Sequence, residues 1–309
     1  MTATASSGKK TAGPRSGRER PGPPGTRRNM FRGRLASTVK ITILTVWGLY
    51  FLSPVYWLII ASTKSTSALF SSPALELHQP QLLQNLRDTF SYDQGIFLHW
   101  ALNSVLYAVG GAAVGTLIAG MAGYYLAIYP FRGREGIFLT VIAGMLVPAT
   151  ALAFPLFLLF AQVNLTDTFW SVFLPSIVSP FSLYLCRLAA EASIPRELVE
   201  AGRIDGAGDF KIFAVIGSRL MAAGLVTAFL TQFVSIWNNF LLPLVMLQSQ
   251  RLYPVTLGLF VWEGQAPKLP FLQAFVVAGS VVSIVPLVVA FLFLQRFWRS
   301  GLTTGAMKG

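Results

Sequence analysis

S-I-P-R-E-L-V-E-A-G-R-I-D-G-A-G-D-F-K-I-F, residues Ser193 to Phe213, is the most polar interior stretch of a very apolar chain. Its charges are spaced for a short amphipathic helix. Pro195 suits a first turn, where its missing N–H would have no partner anyway. Glu197 and Glu200 lie early, where the positive end of the helix dipole favours acids. Leu198, Ala201 and Ile204 recur every third residue and make one narrow apolar stripe. Asp205-Gly206 reads as a stop, since glycine takes the left-handed cap without steric strain. Gly208-Asp209 can cap a second helix running on from Phe210. The spacing therefore predicts helix, tight turn, helix over about 194–212, exposed between apolar segments. Ala201 and Gly202, side by side, leave the first helix flat enough for a partner to approach closely.

Outside this stretch, charge nearly disappears. Five long windows contain no Asp, Glu, Lys or Arg: Ile41–Thr63, Ile96–Phe131, Gly136–Thr166, Leu220–Gln250 and Leu269–Gln295; Thr168–Cys186 is a shorter sixth. A bilayer core takes about 20 apolar residues per helix. Soluble helices keep a polar face, and these do not. Six membrane spans are expected, and a buried soluble core is set aside. The net charge of +12 might suggest nucleic acid, but its distribution excludes that. Ten of the 24 basic residues precede Ile41, against one acid, Glu19. With Arg132, Arg134, Arg187, Arg196, Arg203, Lys211, Arg219, Arg296, Arg299 and Lys308, 20 fall in the N-terminal arm, alternate loops and the tail; only Lys64, Arg87, Arg251 and Lys268 fall in the other loops. This is the positive-inside pattern for a multi-pass protein of the cell membrane with both ends cytoplasmic. Cys186 is alone, so neither an internal disulfide nor a cysteine metal site is available.

Three segments follow. Residues 1–38 are rich in Gly, Pro, Ser, Thr and Arg and are expected to be a disordered basic cytoplasmic arm that reinforces orientation, with loose attraction to anionic lipid as the other reading. They lack a signal-peptide cleavage pattern. Residues 39–298 form the transmembrane domain, and 299–309 a cytoplasmic tail. The first span, about Val39–Ser62, contains Pro54, a kink candidate. Thr63 to about His99 reads as an external loop suited to touching a soluble partner; His78 and His99 lack any cluster that would make them metal ligands. The second span, about Trp100–Ile128, carries Gly111, Gly115, Ala119 and Gly123 at four-residue steps, a ladder for close helix packing. No phosphate loop G-x-x-x-x-G-K-[ST] occurs anywhere. The third span, about Ile137–Ala161, holds Pro148 and Pro155, and the fourth, about Trp170–Leu188, holds Pro175 and Pro180. The fifth begins near Phe213 and holds Gln232, Asn238 and Asn239. These amides both donate and accept, so they suit either interhelical bonding or the hydroxyls of a passing solute. Gln248–Pro270 reads as an outer loop before the sixth span, about Phe271–Gln295.

Pro195-Arg196-Glu197-Leu198, then Glu200-Ala201-Gly202 and Ile204-Asp205-Gly206-Ala207, resemble the Glu-Ala-Ala loop of bacterial ABC importer permeases. Trp237-Asn238-Asn239-Phe240-Leu241 and the tail from Gln295-Arg296-Phe297 to Gly309 resemble the carbohydrate-uptake branch, specifically the maltose-type permease with a glycine-rich C-terminus. The resemblance covers roughly Leu44 to the last residue. Gly202 stands where the family has a second alanine, and Ser218-Arg219 replace its Leu-Pro. The resemblance implies an all-α polytopic membrane protein with six transmembrane helices and a cytoplasmic coupling helix. It implies ATPase coupling through Glu200, Ala201, Gly202, Asp205 and Gly206, and a solute path past Gln232, Asn238 and Asn239. It implies as partners a second permease subunit, ATP-binding subunits and an extracytoplasmic sugar-binding protein, with ATP on the partner subunits and no cofactor on this chain. The tail would reach towards the ATPase subunits.

No nucleophile, base or acid pairing points to an enzyme. A secondary active carrier working without an ATPase is the alternative; such carriers place costly carboxylates or histidines within their spans, and none occurs in these. Nor is there an obvious inverted repeat.

Overall fold

A computed structural model of the chain describes residues 26–77 and 79–305. Positions 1–25 of the arm, His78 and positions 306–309 of the tail lie outside the described residues. Among the described residues every regular element is helical. The chain divides into two units, Met1–Val55 and Tyr56–Gly309; the contacts given below belong to the second.

Helix α1 spans Thr26–Ser62 and so begins inside the stretch expected to be disordered. Its apolar part, Ser37–Ser62, is long enough to cross a bilayer. The expected external loop is largely helical. Helix α2 (Thr66–Ser71) starts where Ser65 accepts a hydrogen bond from the Ala68 amide. Helix α3 (Leu82–Ser91) turns Asn85 and Thr89 inward. Its buried face is polar, so a hydropathy reading misses it. Helix α4 (Ile96–Val105) follows a left-handed turn at Asp93 (φ 48°), Gln94 (φ 58°) and Gly95 (φ 79°). A π turn, Leu106–Gly110, leads into α5 (Gly111–Ile128). Leu82–Ile128 forms one apolar stretch of 47 residues, helical on either side of that left-handed turn and longer at its start than the expected second span.

The part after the turn, α4 through α5, is the axis of the larger unit. The glycine ladder works as packing. A Cβ at Gly123 would lie 2.7 Å from the Arg187 amide nitrogen, and one at Gly111 2.9 Å from Ile236. Gly115 lies against Gln232 and the Ile177 carbonyl. Only small residues let α5 come this close to its neighbours.

Those neighbours are α9 (Pro180–Ser193) and α13 (Ala222–Trp237). Helices α6 (Arg134–Ala143) and α7 (Ala149–Gln162) occupy the stretch expected as the third span, bent by 101° at the break between them. Pro148 sits at that break, where its ring and missing donor end the preceding ladder. Helix α8 (Phe169–Ser176) continues into α9 across Ile177–Ser179. After α10 (Arg196–Ile204), helices α11 (Asp209–Ile212) and α12 (Ser218–Leu220) meet α13 at 84°. That bend falls on Met221, which is buried in the core. The fifth span thus ends at Trp237, with Asn238 and Asn239 beyond it. Helix α14 (Leu241–Met246) follows, and the expected outer loop contains α15 (Val255–Gln265). Helix α16 runs Leu272–Gly305, so the helix continues into the expected tail. Four helical runs are long and apolar enough to span a membrane, and six when each bent pair counts as one. The protein is a multi-pass, all-helical membrane protein.

Candidate functional site

Helix α10 is built almost as its sequence suggests. Pro195, extended at ψ 136°, starts it. Gly206 ends it at φ +77°. The Ala207 amide donates to the Gly202 carbonyl and the Gly206 amide to that of Arg203, both at 3.0 Å. This paired closure of a helix end needs the left-handed residue that glycine supplies. Asp209 does not use its carboxylate as a cap. It accepts from the Tyr129 hydroxyl at 3.0 Å and from Arg203 Nη2 at 3.2 Å, while the Arg203 guanidinium lies 4.9 Å over the Tyr129 ring. Hydrogen bonding to Asp209 holds the Arg203 pKa above its ordinary value. Tyr129 closes α5, so this triad pins the helix–turn–helix to the end of the central axis.

The pinning decides which face is free. Val199, Gly202 and Ile212 are buried. Leu198, Ala201 and Ile204, the stripe read from the sequence, are exposed, with Ile204 at 87 %. Phe210 is also exposed, which the sequence did not single out. Glu200 is exposed and has no hydrogen-bonding or ionic partner among the described residues. Asp205 is exposed at the C-cap. Gly202 parts from Ala201: a Cβ there would lie 3.2 Å from Ile212, inside the chain's own core. Its smallness lets α10 sit on α11, so of the flat pair expected at Ala201-Gly202 only Ala201 is open.

A second anchor lies nearby. Arg187, 7 % exposed, donates to Glu135 at 2.7 Å and to Glu191 at 2.8 Å and stacks 3.9 Å over Phe138. It ties α6 to α9. The i,i+4 pair Arg187–Glu191 is a local signal, but Glu135 and Phe138 lie about 50 residues away in sequence, beyond any periodicity.

The solute-path candidates separate too. Gln232 is 4 % exposed. It accepts from the Ser182 hydroxyl at 3.2 Å and donates to the Ser176 and Ile177 carbonyls at 3.0 and 3.3 Å. Its amide is committed to the break between α8 and α9, satisfying carbonyls that the helices leave open. Asn239 accepts from the Leu242 amide at 3.4 Å near the start of α14, and its carbonyl accepts from Thr256. Asn238 is exposed and donates once, to the Val234 carbonyl at 2.8 Å. Its side-chain oxygen has no partner among the described residues and remains available. No group of three or more His, Cys, Asp or Glu side chains suited to a metal occurs among the described residues.

The model of a family described as the inner membrane component of binding-protein-dependent transport systems matches residues 115–301. The chain belongs to that family. The match runs from α5 into α16 and includes α10 whole. Among this family member's relatives, an arabinooligosaccharides transport system permease protein of Halalkalibacterium halodurans is 35 % identical over 261 residues, 83 % of this chain and 91 % of the relative. A lactose transport system permease protein of Rhizobium radiobacter is 29 % identical over 277 residues, 90 % of this chain and 98 % of the relative. The fold is similar to that of a chain in the crystal structure of a bacterial ABC transporter that imports the acidic polysaccharide alginate, with a TM-score of 0.74 at 22 % identity, over 85 % of this chain and 96 % of that one.

Proposed function

We propose that the chain is a permease subunit of an ATP-driven importer. It forms half of the translocation path for a sugar or oligosaccharide delivered by an extracytoplasmic binding protein, beside a second permease. The observation that carries this reading is the pinned helix α10, which presents Leu198, Ala201 and Ile204 outward beside the unpaired Glu200. Exposed apolar side chains next to a free carboxylate, on an element fixed from behind, suit a protein partner with a complementary pocket and cation. The ATP-binding subunits are that partner, because this chain has no phosphate loop to hold the nucleotide. The names of the relatives support the sugar class. The excess of basic residues at the α10 end and in the arm supports placing both chain ends in the cytoplasm. Asn238 and Asn239 remain the amides proposed for the solute path. A carrier without an ATPase gives the stripe no occupant.

The test is made on the reconstituted importer. Ala201→Phe and Glu200→Ala are expected to abolish or strongly reduce both binding-protein-stimulated ATP hydrolysis and copurification of the ATP-binding subunits. Both side chains are exposed, so heat stability should stay within about 0.5 kcal/mol of the parent. Gly202→Phe is unsuitable, since its ring would collide with Ile212 within the chain. Parental stimulation and copurification in Ala201→Phe would overturn the proposal.

A further inference from the structure

The far end of the Leu82–Ile128 run opens into a groove of about 810 Å³ between α2, α3 and the start of α16. One wall is aromatic: Phe70 on α2, Phe271 just before α16 and Phe275 on it, the last two 5.4 Å apart between ring centroids. The other wall is polar: Thr66, Gln81 and Asp88. The Thr66 hydroxyl and the Asp88 carboxylate have no partner among the described residues, and Gln81 uses only its Nε2, towards Asn85 at 3.3 Å. The polar wall is held from behind. Asn85 is buried and donates to the carbonyls of Ser62 and Lys64, both at 2.9 Å, and the buried Lys64 ammonium donates to the Pro73 carbonyl at 2.5 Å.

We propose that this groove is a vestibule for a neutral oligosaccharide, an inference that rests on the importer reading above. The volume lies in the range of small-molecule sites. A sugar ring has C–H faces that can lie on the phenylalanine faces and hydroxyls that both donate and accept. Those hydroxyls satisfy the carboxylate, hydroxyl and amide oxygen opposite. A lipid acyl chain would leave the polar wall desolvated without partners. Among the described residues no Lys or Arg lines the groove, and Asp88 is its one charge, so an anionic sugar or a phosphate headgroup is disfavoured. The location fits entry: the groove lies at one end of the axial run, and Tyr129 and the α10 anchor lie at the other.

The probe is saturation-transfer difference NMR on the complete transporter in nanodiscs, without binding protein. Maltotriose and arabinotriose are the neutral sugars, and digalacturonate is the anionic one. At least one neutral trisaccharide should give saturation transfer, weakened at least tenfold in Phe271→Ala. Digalacturonate should give none with the parent and gain a signal in Asp88→Asn, which keeps the shape and removes the charge. Absence of signal from both neutral sugars, parental signal in Phe271→Ala, or equal binding of digalacturonate by the parent overturns the vestibule. Binding-protein-stimulated ATP hydrolysis by the same samples reports on the importer reading separately. Stimulation without a sugar signal removes the vestibule and leaves the importer.

Discussion

The two ends of the Leu82–Ile128 run are held together by different means. At the α10 end, the helix–turn–helix takes its own shape from short-range punctuation: Pro195 starts the helix, Gly206 stops it, and Gly208 begins the next, with Tyr129 and Asp209 pinning the finished motif from behind. At the groove end, shape comes from partners far apart in the chain. Trp100 is fully buried and donates its indole N–H to the Gln250 carbonyl at 2.8 Å. Asn103 donates to the Arg251 carbonyl at 2.7 Å. Asp167 accepts from the amides of Gln248 and Ser249 at 2.9 and 2.8 Å. The first end is shaped locally and pinned through the triad on its inner side, so its outer surface can stay apolar and open. The second is a tertiary knot, and it fails as a unit when one long-range member is lost.

The largest expected effect follows from that contrast. Trp100 packs against Trp262 at 4.6 Å between centroids and covers Gly258. Trp100→Ala leaves a cavity and removes the indole bond to Gln250, and should lower stability by about 3–5 kcal/mol in detergent melting experiments. A loss under about 1 kcal/mol, the scale of an ordinary surface change, would show that the knot is not cooperative.

Gly206→Ala is the matching change at the other end. Nothing lies within 4 Å of the added methyl, so only the left-handed backbone is penalised. The same melting assay should read a loss of about 1–2 kcal/mol. Equality of the two variants would erase the distinction between local and long-range construction.

The smallest effect is a pH response confined to the groove end. Burial pushes the Asp167 carboxyl up, but the Ser249 hydroxyl and the Ser249 and Gln248 amides outweigh it and hold the group below its ordinary value. Its folded pKa is depressed, so its stabilising contribution is present above the unfolded value of about 4 and is lost as pH falls through the folded one. Amide exchange at Gln248 and Ser249, corrected for intrinsic rates, should be flat from about pH 7 to 5 and accelerate below about pH 4. A rise near neutrality would contradict this.

The same contrast accounts for what is legible in the sequence. Spans are visible because charge-free runs of this length suit little besides a bilayer core. The helix–turn–helix over 194–212 is visible because Pro and Gly act on their own neighbours. Helix α3 escapes because its buried residues are Asn85 and Thr89, which hydropathy scores as loop. The bend at Met221 carries no proline, so no breaker residue marks it in the sequence. The sequence places Gly202 on the outer face beside Ala201; which of two small neighbours faces Ile212 depends on where α11 returns, and no spacing rule supplies that. Gln232 reads as a solute contact because an amide in a span is unusual. Its partners, the open carbonyls of Ser176 and Ile177, become visible only once α8 and α9 are placed.

If α10 is the surface on which the ATP-binding subunits dock, and the groove end is not, the two should differ in what they touch. A photoreactive benzophenone amino acid is placed at Ile204 in one sample and at Thr66 in another, within complexes that hydrolyse ATP. Illumination should join the chain to an ATP-binding subunit from position 204 and give no such adduct from position 66. An adduct from position 66, or none from position 204 in an active complex, would contradict the account.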